Sequence, residues 1–207
     1  MYRLYARKGA GSLAIEAMLN HCGAPYCVED LARQPDGSFP EFLYKINPRA
    51  EVPTLVLADD SIMTESAAIL IHLGDIFPAA GLAPPVTSAL RPRYLRWMVY
   101  LATTVYMSDL RMYYPERYTL DRVGAAAIKA RAVAGMAREF AIYAGALGEG
   151  PFILGAKMSA VDIYAAMLAS WVPDMNELFA THANLKSMYE KVTAHPKIAA
   201  AWDRNEV

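Results

Sequence analysis

Hydrophobic positions along this chain alternate between strand-like and helix-like periods as far as Phe77 and are purely helix-like after it. Tyr2, Leu4 and Ala6 alternate with Arg3 and Tyr5, the period-two pattern of a short strand over Tyr2–Ala6. The turn Gly9-Ala10-Gly11-Ser12 leads into a helix over Leu13–Cys22. Ile15, Met18, Leu19 and Cys22 share one face of it, and Gly23 supplies a C-terminal cap. A second strand is predicted at Tyr26–Glu29, a polar loop at Arg33–Pro40, and a short helical piece at Phe42–Ile46 stopped by Asn47-Pro48. Val52–Leu57 and Ser61–Thr64 predict a hairpin turning across Asp59-Asp60. Pro53 is anomalous there, because proline has no N–H for the ladder. It marks either an edge or a special job, such as a cis peptide that exposes neighbouring backbone groups. Ser66–Phe77 predicts an amphipathic helix with Ile69, Leu70, Leu73, Ile76 and Phe77 as its apolar stripe and Pro78 closing it. The order is βαβαββα, an α/β unit whose sheet mixes a parallel βαβ crossover with an antiparallel hairpin.

Gly81 and Pro84-Pro85 break the periodicity, which places a first domain at 1–79, a linker at 80–88 and a second domain at 89–207. The second domain reads as all-α, with helices at Ala89–Tyr113, Arg122–Leu147, Ser159–Ala169, Leu185–Ala194 and Pro196–Trp202. Ser159 followed by Asp162 is a capping box, with Met158 and Ile163 as a hydrophobic staple, worth on the order of 1 kcal/mol.

The 207 residues, with 55% hydrophobic residues and 20 Lys+Arg against 21 Asp+Glu, exclude native disorder. A net charge of −1 removes the electrostatic basis for nucleic-acid binding, and the basic stretch Arg91–Arg96 reads as a solvated helix face. No apolar run reaches the ~18–20 residues of a membrane span, and Glu16 interrupts the N-terminal apolar stretch before it could serve as a signal peptide. The expected location is therefore cytoplasmic. Cys22 and Cys27 are too few for a disulfide framework and lack metal spacing, so both are expected reduced, with Cys22 in a core. His72, His182 and His195 have no partner at catalytic or metal spacing and read as surface or capping residues. No metal is expected.

Three places carry candidate chemistry. Ser12 opens a helix beside glycines, so its hydroxyl serves either as an N-cap or as a donor to a bound anion held at the helix N-terminus. Glu65 and Ser66 stand at a strand-to-helix junction, where a carboxylate can bind an ammonium group and a hydroxyl with free N–H groups can bind a carboxylate; capping is the alternative. Trp97, Tyr100, Tyr106, Met107, Arg111, Tyr113 and Tyr114 form an aromatic, methionine-bearing series on one long helix, suited to packing or to lining an apolar pocket.

Val52-Pro53-Thr54-Leu55, Thr64-Glu65-Ser66-Ala67-Ala68-Ile69 and Ser159-Ala160-Val161-Asp162 together resemble the ordered landmarks of cytosolic glutathione transferases. Lys8-Gly9-Ala10-Gly11-Ser12-Leu13-Ala14 and Ile46-Asn47-Pro48 are similar to the bacterial beta class, except that Gly11 stands where that class has its cysteine. The resemblance implies a thioredoxin-like N-terminal domain followed by an all-helical domain with an electrophile pocket, and a homodimer. It implies glutathione held by Ala10, Gly11, Val52, Pro53, Glu65 and Ser66, with Ser12, or Tyr5 as in other classes, activating its thiol. Val52 would pair its backbone with the cysteinyl part of glutathione. Tyr106, Arg111 and Tyr113 are the pocket residues this suggests, with small apolar electrophiles as substrates. Without a cysteine at Gly11 the loop cannot form a mixed disulfide with glutathione. The alternative is a non-catalytic glutathione-transferase-fold module for ligand binding or protein association.

Overall fold

The computed structural model describes residues 1–206, and its sheet has the strand order β2-β1-β3-β4. β1 (Tyr2–Ala6) is central, paired in parallel with β2 (Tyr26–Asp30) and antiparallel with β3 (Thr54–Val56), which pairs antiparallel with β4 (Ile62–Met63). Helix α1 (Ser12–Cys22) makes the crossover between β1 and β2, and Gly23 ends it in the left-handed region at φ 65°. Helices α2 (Glu41–Ile46) and α3 (Ser66–Ile76) complete the expected βαβαββα order. The hairpin strands are shorter than predicted. Pro53 has no N–H to donate, so the β3 ladder starts only at Thr54.

Leu4, Leu13, Ile15, Met18, Leu19, Leu43 and Leu55 are fully buried in this unit, each worth roughly 1.5–3 kcal/mol of hydrophobic stabilisation. Two expected core positions differ: Ile76, the last residue of α3, is 44% exposed, and Cys22 is only half-buried. Burial nevertheless pushes the Cys22 thiol up to about 11, away from thiolate chemistry.

The chain divides into two compact units, Met1–Ala83 with Thr193–Val207, and Pro84–Val192. This corrects the expected 89–207 domain, because its last helix, α10 (Pro196–Asn205), packs on α1 instead. The reason is local. Glu16 lies on the buried face of α1 at 3% exposure and needs a cation; Arg204 supplies it, also reaching Asp30 at 2.7 Å, while Asn205 donates to Glu16 at 3.1 Å. Ile198, Ala201 and Trp202 bury the apolar side of the same helix. His195 caps α10, accepting from Lys197 N–H at 3.3 Å, and its ring lies 4.8 Å from that of His21.

In the second unit α4 (Arg91–Tyr100), a π-helical turn (Leu101–Val105) and α5 (Tyr106–Tyr113) run in continuity, followed by α6 (Arg122–Leu147), α7 (Ala160–Ala169), α8 (Met175–Thr181) and α9 (Ala183–Thr193). Every residue of α7 is buried. Its capping box is formed as expected: Asp162 accepts from Ser159 N–H at 2.8 Å and Oγ at 2.7 Å. Asp162 also reaches outside the box, accepting from Ile153 N–H at 2.8 Å and Tyr143 at 3.4 Å. Burial pushes its carboxyl up to about 6, opposed by these hydrogen bonds. Arg91 departs from the expected solvated face. It is 7% exposed, donates to the Pro84 carbonyl at 3.1 Å and lies over Tyr94. Helix α8 was not predicted, although Asp174, which accepts from Glu177 N–H at 2.8 Å, is a legible N-cap. No helix among the described residues is long and apolar enough to cross a membrane.

Two stability predictions follow from these networks. Replacing Asp162 by Ala leaves buried donors at Ser159, Ile153 and Tyr143 unpaired and should cost about 2–4 kcal/mol in urea denaturation. Arg204→Ala should cost about 1–3 kcal/mol, less than for a fully buried pair because Arg204 is partly solvated. In both cases a midpoint unchanged from wild type would contradict the assignment.

Candidate functional site

Strand register gathers distant segments at one end of the sheet. Tyr5 opposite Thr54 puts Ala6 level with Pro53 and Arg7 level with Val52, and Leu55 opposite Met63 puts Pro53 level with Glu65. Helix α1 starts from this end at Ser12 and α3 at Ser66, so the N-termini of two eleven-residue helices face the same rim. The free N–H groups and positive dipole ends of such termini favour anions.

Between these helix starts runs Val52–Pro53, whose peptide bond is cis. The segment is braced from below: Asn47 donates to Thr54 Oγ1 at 2.9 Å and to the Glu51 carbonyl at 3.0 Å, and Thr54 Oγ1 donates to the same carbonyl at 2.7 Å. Glu65 adopts φ 66°, a left-handed turn that brings the chain from β4 into α3. Its side chain is exposed and makes no capping hydrogen bond, leaving the carboxylate available at the rim. Arg49 forks onto Glu51 at 3.0 and 3.1 Å and feels the Glu65 charge as well, both of which hold its guanidinium protonated.

The loop before α1 is closed by Ser12. Its Oγ donates to the Arg7 carbonyl at 3.0 Å and accepts from Arg7 N–H at 3.2 Å, and the residue is fully buried. Ser12 is therefore not the N-cap; that position belongs to Gly11, which is buried, with half-buried Ala10 before it. Tyr5 packs with Leu31, Phe39, Leu43 and Ala50, its ring 5.5 Å from Phe42. The structure thus brings Ala10, Gly11, Ser12, Val52, Pro53, Glu65 and Ser66 to one rim and sets Tyr5 in a packed cluster.

In the second unit the three pocket residues separate. Tyr106 stands edge-on to Trp171 at 5.5 Å, and Tyr113 donates to the Trp171 carbonyl at 3.0 Å, so both share one aromatic cluster. Arg111 lies on another face of α5, over Tyr118 and along a groove against α6. Asp109, which sequence reasoning passed over, is 4% exposed, and its Oδ1 has no hydrogen-bond partner among the described residues. Burial alone pushes its carboxyl up to about 7. The legible signal was an acid set among buried Val105 and Met112.

Comparison with known proteins matches residues 12–76 to the family described as glutathione S-transferase, N-terminal domain, and residues 111–203 to glutathione S-transferase, C-terminal domain. The uncharacterized GST-like protein YncG of Escherichia coli (strain K12) is 32% identical over 209 residues, covering 100% of both chains. Among solved structures, a Sulfitobacter glutathione transferase homologue with bound glutathione has a TM-score of 0.88 at 25% identity, covering 100% of this chain and 99% of its own. The beta-class enzyme of Sphingomonas chungbukensis has a TM-score of 0.82 at 23% identity, with 98% of each chain covered.

Asp109, buried and with Oδ1 unpaired among the described residues, makes a pH prediction. Its folded-state pKa lies above the unfolded carboxylate value, so the folded chain holds the proton longer and stability falls as pH rises from about 4 to about 7. Asp109→Asn should abolish that decline and raise stability at pH 8 by on the order of 2–4 kcal/mol. Thermal melts across pH check it; parallel curves for variant and wild type would contradict it.

Proposed function

The chain belongs to the glutathione S-transferase family, and from that premise we propose that it binds glutathione along the rim and activates its thiol for attack on small apolar electrophiles. The observation that carries this reading is the convergence of two helix N-termini on the Val52–Pro53 segment. Glutathione has complementary groups in the right order. Val52 offers its main chain to the cysteinyl part. Glu65 takes the γ-glutamyl ammonium, and Ser66 with the first turn of α3 takes the neighbouring carboxylate. The sulfur then lies at the start of α1, by Ala10, Gly11 and Ser12.

Lowering a thiol pKa from ~8.5 by about two units needs ~2.7 kcal/mol of preferential thiolate stabilisation. A helix terminus contributes up to ~2 kcal/mol and a charge-assisted hydrogen bond ~1.5–3 kcal/mol, so the first turn of α1 suffices. Because Ser12 Oγ is bonded in both directions to Arg7, we place its role in holding that turn against the sulfur. Tyr5, packed in its cluster, is the rival donor. An apolar electrophile would rest against the Tyr106, Tyr113 and Trp171 aromatics. Free Cys22 and Cys27 support a reducing, cytoplasmic setting.

A homodimer is part of the proposal. Val133 on α6 is 40% exposed and Val99 on α4 is 55% exposed, apolar positions that a second copy would cover. One observation favours the non-catalytic alternative: with Gly11 in the cysteine position and Ser12 sealed into its loop, no side-chain hydroxyl or thiol of the loop points free at the rim.

Calorimetric titration with glutathione, then conjugation of a chlorodinitrobenzene-type electrophile by wild type, Ser12→Ala and Tyr5→Phe, separates these readings. Binding at millimolar glutathione is expected, with turnover reduced about 10- to 100-fold in Ser12→Ala, through the loosened turn, and within about threefold of wild type in Tyr5→Phe. No binding would sink the proposal, and binding without turnover would establish the module reading. By light scattering the wild type should be dimeric and Val133→Glu shifted toward monomer; a wild-type monomer would contradict the dimer.

A further inference from the structure

The groove between α5 and α6 belongs to the second unit alone and is absorbed by none of the chemistry above. It is a half-open groove of about 680 Å³, within the size range of small-molecule sites. Three guanidiniums line it, those of Arg111, Arg131 and Arg138, and among the described residues its lining holds no carboxylate. In a chain of net charge −1 this is a local concentration of positive charge.

The arginines are unequal. Arg138 is neutralised by Glu139 at 2.5 Å. Arg111 lies over the Tyr118 ring, and neither it nor Arg131 makes an ion pair among the described residues. Their positions converge. The short connection through Pro115–Tyr118 runs α5 and α6 antiparallel, and a Cβ built on Gly135 would come 3.4 Å from Ser108 Oγ, fixing these two residues at one level. Arg111 lies one turn beyond Ser108, and Arg131 one turn before Gly135. Arg111 and Arg131, both uncompensated, therefore stand at one level of the groove, whose lining also holds Ser108 and the apolar side chains of Ile128 and Ala134.

We propose that this groove binds a small phosphate monoester, its dianionic head between Arg111 and Arg131 and its organic body along the Ala134 side. Two positive charges at one level match a dianion better than a single carboxylate, and guanidinium forks suit phosphate oxygens. The apolar side chains and the volume exceed what inorganic phosphate alone would fill. The site stands independently of the glutathione reading.

Phenyl phosphate is the probe, titrated calorimetrically into the full chain at low salt beside benzoate, inorganic phosphate and benzyl alcohol. One site per chain is expected, with phenyl phosphate about tenfold or more tighter than benzoate or inorganic phosphate and no measurable binding of benzyl alcohol. Arg131→Ala and Arg111→Ala, both at exposed positions, should each weaken phenyl phosphate about tenfold or more with unchanged melting temperature, and added salt should weaken it further. S-hexylglutathione should not displace it, which keeps this result separate from the rim site. Binding that survives both substitutions, displacement by S-hexylglutathione, equal binding of benzyl alcohol, or no binding at all would overturn the proposal. So would light scattering in which Arg131→Ala dissociates a dimer whose groove takes no phenyl phosphate, because a second copy would then be its occupant.

Discussion

β1 forms main-chain hydrogen bonds along both edges, parallel to β2 and antiparallel to β3, and its register places the residues of the rim. Side chains in a strand alternate faces, so a slip of one residue would send Tyr5 to the opposite face and carry Pro53 away from Ala6. Buried Leu4 and Leu55, paired across β1 and β3, resist such a slip because each would lose its place in the core. The same ladder sets the distance between the two helix starts. The geometry of the rim is therefore a consequence of strand pairing before it is a property of any one side chain.

Buried polar groups show three different solutions to one electrostatic problem. Glu16 is matched by a cation from the far end of the chain, and that pairing draws α10 onto α1. Asp162 makes no ion pair among the described residues and is satisfied by main-chain and hydroxyl donors gathered around the start of α7. Asp109 has neither at Oδ1, and its carboxyl keeps its proton to higher pH instead. The first two organise the fold. The third stands on the helix that also carries Tyr106 and Tyr113, beside the π-helical turn, an irregularity often found near functional positions.

The rim was legible in the sequence because its landmarks are backbone devices. Pro53 cannot join a ladder, glycines open the turn before α1, and Ser66 starts a strongly periodic helix. The role of Ser12 was less legible: a serine beside glycines at a helix start reads equally as cap, donor or loop closure, and only the Arg7 backbone five residues back decides. Arg111 shows the same limit. The aromatic series on its helix suggested one pocket, but residues 106 and 113 are seven apart and share a face, whereas 111 turns toward α6.

Local periodicity, capping and proline chemistry by themselves determined the βαβαββα order, the helical second half, the capping box at Ser159 and the break near Pro84. These depend on contacts a few residues apart, which a linear pattern records. The tertiary structure alone decided that α10 joins the first unit, that Ser12 is sealed, that Arg91 is buried and that Arg111 and Arg131 line one groove. Each of those depends on which distant group satisfies a charge or hydrogen bond, and sequence separation carries no trace of that pairing until the chain has folded.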